Sequence, residues 1–120
     1  MNDIREKLGF EVVHFGVNCD GDLEARKEAE TFARLFGLPI KNGKNSIYAG
    51  PLIELMKGSG RGKYGHIAVA TNDVQKAQRY LESLGCEFEP ASVRYNSEGS
   101  LIFIYLKNEI AGFAVHLLQR

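Results

Sequence analysis

With 120 residues and 44% hydrophobic side chains, the chain is sized for one ordinary core, and two independent domains would each be marginal. Fifteen acidic and fifteen basic residues cancel without forming a basic stripe, which removes the electrostatic footprint of a nucleic-acid binder. The opening Met1 to Gly9 mixes charges and has no apolar h-region, no uncharged run is long enough to cross a bilayer, and Cys19 and Cys86 form no Cys-x-x-Cys pair. A cytoplasmic protein with reduced thiols and no membrane or nucleic-acid partner is expected.

Residues 11 to 19 read as a strand, in which alternation places His14, Gly16 and Asn18 on one face and Val13, Phe15, Val17 and Cys19 on the packing face. Between Asp22 and Phe36 an apolar stripe of Ala25, Ala29, Phe32, Ala33 and Phe36 predicts an amphipathic helix that Gly37 stops. Asn42-Gly43 is a turn signal before an extended run at 46–49, and Gly50-Pro51 separates that run from another at 52–57. The glycine-rich stretch 58–63 reads as a flexible linker and lacks the spacing of a phosphate-cradling loop.

The second half follows the same plan. His66, Ala68, Ala70 and Asn72 share one strand face opposite Ile67, Val69 and Thr71. Val74, Ala77, Leu81 and Leu84 predict a helix ended by Gly85, about one turn shorter than the first. Extended runs follow at 88–95, at 101–107 after the turn-rich 96–100, and at 113–119. Each half therefore reads βαβββ, an α+β chain of two modules (about 10–57 and 64–120) in one domain.

All three histidines and one glutamate occupy matching places in this repeat. His14 opens His-Phe-Gly-Val-Asn as His66 opens His-Ile-Ala-Val-Ala, while Glu54 lies five residues after Ala49 and His116 five after Ala111, each following an Ala-Gly pair. Nitrogen and carboxylate donors recurring this way point to one shared metal centre. Glu54 is flanked by Ile53 and Leu55 in a run suited to burial, where its charge needs a compensating cation; the plainer reading is an edge strand with Glu54 in water. Three imidazoles and a carboxylate suit zinc or nickel first, with cobalt or iron also compatible, better than magnesium. Tyr48, Arg94, Phe103 and Tyr105 are candidate substrate contacts, although strand aromatics more often serve sheet packing.

Through Val-Val-His14-Phe-Gly-Val-Asn, Leu-Ile-Glu54-Leu, Gly-His66-Ile-Ala-Val-Ala-Thr-Asn-Asp-Val and Ala-Val-His116-Leu-Leu, nearly the whole chain resembles the vicinal oxygen chelate superfamily. That superfamily includes glyoxalase I, bleomycin-resistance proteins, extradiol dioxygenases and methylmalonyl-CoA epimerase. The resemblance implies a curved mixed sheet around a divalent metal, with ligands from the first and last strand of each module, and a homodimer. His116 departs from the pattern, since many metalloenzymes of the superfamily carry glutamate there. Residues 65–74 and 104–117 also resemble the glyoxalase-like domain attached to some bacterial 2-dehydro-3-deoxyphosphogluconate aldolases; the chain is too short for the aldolase barrel itself, which takes about 250 residues.

A metal-dependent lyase, isomerase or epimerase is therefore expected, acting on a small α-oxo or α-hydroxy compound through an enediolate-like intermediate, with Glu54 as base. The competing expectation is a non-catalytic ligand-binding or regulatory module of the aldolase-accessory kind.

Overall fold

The computed structural model describes residues 3–58 and 60–120; Met1 and Asn2 of the mixed-charge opening and Ser59 of the expected linker lie outside them. In the first half, β1 (Glu11–Asn18) leads into α2 (Asp22–Phe36), then β2 (Ile40–Asn42), β3 (Ser46–Ala49) and β4 (Ile53–Met56), preceded by a short helix α1 (Asp3–Leu8). In the second, β5 (Gly65–Thr71) leads into α3 (Val74–Ser83), then β6 (Arg94–Tyr95), β7 (Leu101–Tyr105) and β8 (Phe113–Gln119). One eight-stranded mixed sheet results, in the order β2-β3-β4-β1-β5-β8-β7-β6.

The repeat is visible in this order. Each module's first strand runs parallel to its last, β1 with β4 and β5 with β8, and the modules join where β1 and β5 pair antiparallel. Both helices end and begin where their residues dictate. Gly37 takes the left-handed conformation, φ 68°, that a side chain resists, and its N–H closes on the Ala33 carbonyl. Asp73 caps α3 by accepting the Lys76 N–H at 3.0 Å. The 15-residue α2 exceeds the 10-residue α3 by more than a turn, as expected.

The helices build two separate apolar clusters rather than one continuous layer. Ala25 and Ala29 of α2 pack on Ile47, Ala49 and Leu55, while Val74 and Ala77 of α3 pack on Ile104 and Leu117, with Leu8 of α1 added. The small alanines let helix and sheet approach closely. Between the clusters the underside of β1 is incompletely covered, and Phe15 and Val17 keep 43% and 38% of their surface exposed. The expected packing face of this strand is thus only partly a packing face. Its alternation is interrupted by a bulge between Val12 and His14, and each helix covers the outer strands of its own module. Phe36, expected in the helix stripe, is likewise exposed.

Three further differences have local causes. The run 88–95 is extended only at its end, because Pro90 opens a 3₁₀ turn (Pro90–Ser92) that Glu89 caps through the Ala91 N–H. The helix α1 has no apolar period long enough to announce it and is held through buried Leu8. The described part of the linker is pinned, since Asn18 donates through Nδ2 to the Gly62 carbonyl at 2.9 Å and accepts the Gly60 N–H at 3.3 Å. Cys19 and Cys86 are free thiols. No helix among the described residues is long and apolar enough to cross a membrane.

Candidate metal centre

The four repeat-matched residues stand on two adjacent rungs of the sheet. Along one rung the register runs Tyr48, Glu54, Gly16 and His66, from β3 through β4 and β1 to β5. Along the next it runs His14, Ala68, His116 and Tyr105, from β1 through β5 and β8 to β7. Residues directly opposite one another share a sheet face, so all the polar side chains of both rungs point into one cleft. The pseudo-dyad relates Tyr48 to Tyr105, Glu54 to His116 and His66 to His14, and puts the small residues Gly16 and Ala68 in equivalent places. Those small residues are the space the imidazoles fill.

Gly16 shows this most directly, because a Cβ there would collide with the His66 ring. Gly16→Ala is expected to displace that ring, lowering metal affinity at least about tenfold while costing only about 1–2 kcal/mol of stability. Chelator competition alongside urea unfolding checks the split; unchanged metal affinity would refute it.

The donor atoms are close together. His14 Nε2 lies 3.3 Å from His66 Nε2, and Glu54 Oε1 lies 3.4 Å from the first and 3.1 Å from the second. His116 joins them, the three imidazoles presenting nitrogens within 4.8 Å of one another. Every one of these donors belongs to a single chain, so a second copy is not needed to complete the cluster. The other Glu54 oxygen, Oε2, accepts the Ser46 hydroxyl at 2.7 Å, and His116 Nδ1 lies 3.4 Å from the Leu117 carbonyl. Sequence reasoning passed over Ser46; its signal was the alternation that puts it on the same face as Tyr48.

The cleft measures about 320 Å³, and Asn45, Tyr48, Met56, Arg94, Phe103, Tyr105 and Leu118 complete its lining. All four candidate substrate contacts therefore reach the cleft, but three also serve as ring packing. Phe103 stacks on His116 with centroids 4.3 Å apart, Tyr105 meets the same imidazole edge-on at 5.0 Å, and Tyr48 meets His14 edge-on at 5.9 Å. A larger cleft of about 580 Å³ lies beyond Tyr48, where, among the described residues, Lys41 and Tyr48 are the ionisable lining groups.

Burial and mutual proximity set the protonation states. His116, only 3% exposed, is driven down from 6.5 to about 4, first by burial and then by His66. Burial also lowers His14, with Glu54 opposing and His66 reinforcing the shift. For Glu54 burial works upward, but hydrogen bonds from His66 and Ser46 and the neighbouring imidazoles outweigh it and hold the carboxyl below its ordinary value. Burial first, then the Glu54 charge, pushes Tyr48 up to about 12. At neutral pH the site is thus a carboxylate, neutral imidazoles at His14 and His116, and protonated phenols.

These directions make a stability prediction for the metal-free protein. His116 and His14 are depressed on folding, so the unfolded chain takes up protons first as pH falls below about 6.5; their stabilisation is complete above that value and declines until the folded His116 protonates near 4. The His116 shift from 6.5 to about 4 corresponds to a loss of up to about 3 kcal/mol, complete only once the pH is below the folded value. Glu54 acts in the same direction at lower pH. Urea midpoints measured from pH 7.5 to 4 should fall steadily, and His116→Gln should flatten the curve; an unchanged slope would contradict the assignment.

No family model matches the sequence, and no curated protein matches it significantly. Solved structures do match. A methylmalonyl-CoA epimerase bound to methylmalonyl-CoA and NH₄⁺ superposes with a TM-score of 0.63 at 17% identity, covering 90% of this chain and 92% of that one. The Mycobacterium tuberculosis methylmalonyl-CoA epimerase gives 0.62 at 17% identity, with 90% and 86% covered. A Streptomyces coelicolor epimerase variant bound to 2-nitronate-propionyl-CoA gives 0.62 at 16% identity, with 90% and 95% covered. The fold is the glyoxalase-like fold of methylmalonyl-CoA epimerase. At these identities the likeness establishes architecture and leaves chemistry to the residues of the cleft.

Proposed function

We propose that the protein is a divalent-metal-dependent epimerase or isomerase, or a lyase sharing the same first step, acting on a small α-oxo or α-hydroxy compound in the His14–Glu54–His66–His116 cleft. The observation that carries this reading is the triangle of His14 Nε2, His66 Nε2 and Glu54 Oε1, with sides of 3.1 to 3.4 Å. Donors about 2.1 Å from a common ion lie about 3.0 Å apart at a right angle and about 3.4 Å apart at the tetrahedral angle. The triangle has the dimensions of a coordination-polyhedron face. The donor set fits a borderline cation such as zinc or nickel, and also cobalt or ferrous iron.

A divalent cation held there would supply Lewis-acid stabilisation of negative charge on substrate oxygen. The chain's own residues supply the rest. Glu54 is the one carboxylate lining the cleft among the described residues, and it is the candidate to take the proton from carbon through Oε1 once that oxygen loosens from the ion, with Oε2 steadied by Ser46. Its depressed pKa makes it a weak base, so the carbon acid must be strongly activated for transfer to proceed. Tyr48, protonated far above neutral pH, can donate a hydrogen bond and cannot serve as base. The fold neighbours named as methylmalonyl-CoA epimerases, solved with CoA thioesters, support proton transfer beside a carbonyl as the class of chemistry.

The test is to incubate metal-loaded protein in D₂O with 2-oxo acids, 2-hydroxy acids, acyl-CoA thioesters and glutathione hemithioacetals and follow carbon-bound deuterium by NMR. Metal-dependent exchange in any of them is the expected result. A second reading, a ligand-binding module of the aldolase-accessory kind, draws on the His14, His66 and His116 group, a three-imidazole set that could hold an ion without Glu54 and without any turnover. In that case every compound stays unlabelled.

A further inference from the structure

Two arginines, Arg94 and Arg61, lie over aromatic rings that line the cleft. Arg26 and Arg120 pair with the carboxylates of Asp22 and Glu11 at 3.2 and 2.7 Å. Arg94 and Arg61 have no carboxylate within salt-bridge distance among the described residues, and lie instead on aromatic rings. The Arg94 guanidinium sits 4.4 Å over Phe103, the ring stacked on His116. The Arg61 guanidinium sits 5.0 Å over Tyr105, which meets the same His116 edge-on. Phe103 and Tyr105 touch each other edge-on at 5.5 Å.

Both cations are therefore held one aromatic ring outward from one imidazole of the donor cluster, on the module-two side. A guanidinium held over a ring face by cation–π attraction makes no hydrogen bond there and keeps N–H groups for a carboxylate or phosphate, whose two oxygens arginine can fork. Across the cleft, the polar groups of module one outside the donor cluster are Asn45 and Tyr48, which carry no charge to balance an acid. The charge pattern thus has a direction, from the histidine–carboxylate cluster toward the two guanidinium groups.

We infer that Arg94 and Arg61 form an acid-binding arm, so that the substrate carries a second anionic group, carboxylate or phosphate, a few bonds from its reacting carbon. This rests on the proposed function for the reacting end but not for the anionic end. It restricts the substrate class to diacids and phosphorylated acids and disfavours neutral-tailed α-oxo compounds. Arg61 belongs to the glycine-rich stretch between modules, so that segment contributes a specificity residue as well as a connection.

The matched probes are 2-oxoglutarate and 2-oxopentanoate, which differ only in a terminal carboxylate against a terminal methyl. Calorimetric titration of metal-loaded protein should show 2-oxoglutarate binding about tenfold tighter, as a charge-assisted fork provides. In Arg94→Met the preference should collapse, and in Arg61→Met it should fall partway, through a loss of 2-oxoglutarate affinity larger than any change for 2-oxopentanoate and with metal content retained. Equal affinities in the wild type, or a preference surviving the double variant, would overturn the arm.

A second measurement does not need the metal. Titrating inorganic phosphate into metal-free protein at constant ionic strength should move the Arg94 Nε–H and Phe103 ring NMR signals, with the Phe103 response lost in Arg94→Met. Should the protein hold no metal or neither acid, a phosphate response confined to these residues would leave the arm standing and the proposed function failing. No response, or an equal response to sodium chloride, would overturn the arm itself.

Discussion

His66→Ala protein is expected to emerge from purification almost empty of divalent metal, where the parent, prepared without a histidine tag, carries close to one ion per chain. His66 Nε2 is a corner of the donor triangle, 3.3 Å from His14 Nε2 and 3.1 Å from Glu54 Oε1. Its ring is nearly buried above Gly16, so an alanine removes that corner of the triangle and leaves a gap in its place. Loss of this ligand should weaken affinity by at least about a hundredfold, beyond what removal of a supporting hydrogen bond does. His14→Ala should behave similarly. Elemental analysis and chelator competition supply the readout, and far-ultraviolet circular dichroism shows whether the fold survives. A parent protein that stays metal-free after supplementation, yet folds normally, would remove the metal centre altogether.

Glu54→Gln should separate holding an ion from moving a proton. The amide keeps the shape and one oxygen donor, and it can still meet the Ser46 hydroxyl that lies 2.7 Å from Oε2. What it loses is the charge and nearly all basicity. A catalytic base removed in this way lowers turnover by about 10² to 10⁴, with metal affinity falling far less. Deuterium exchange at the carbon beside the carbonyl is the direct measure. Exchange that continues at the parental rate in Glu54→Gln would exclude Glu54 as the base, and a loss that tracks metal content alone would return it to the role of ligand.

The parts of the fold that follow period two or period 3.6 were legible in the sequence, and so was the convergence of His14, Glu54, His66 and His116 on one cleft. The matched positions of His14 with His66 and Glu54 with His116 encode a pseudo-dyad, and a dyad between paired strands must bring its matched side chains to one face. What local pattern could not show is how far each helix reaches. Phe15 and Val17 look like core in any window of the sequence, yet α2 and α3 each cover the outer strands of their own module and leave these two part-exposed. The extended reading of 88–95 overlooked that Pro90 suits the first position of a helical turn. Arg61 was hidden for another reason: a glycine-rich stretch reads as slack, and only the Asn18 hydrogen bonds to Gly60 and Gly62 show that it has a defined course.

The antiparallel pairing of β1 with β5 is the one place where the sheet passes from module to module. The donors divide evenly across this seam, His14 and Glu54 on one side, His66 and His116 on the other. An ion bound by both pairs would act as a reversible crosslink between half-molecules, and any excursion that separates them would have to release it. Amide protons of the β1–β5 ladder should then exchange with solvent more slowly as free metal rises, following the logarithm of its concentration. Amides in β2 and β6 at the sheet margins, which can fray without parting the donors, should show little of that dependence.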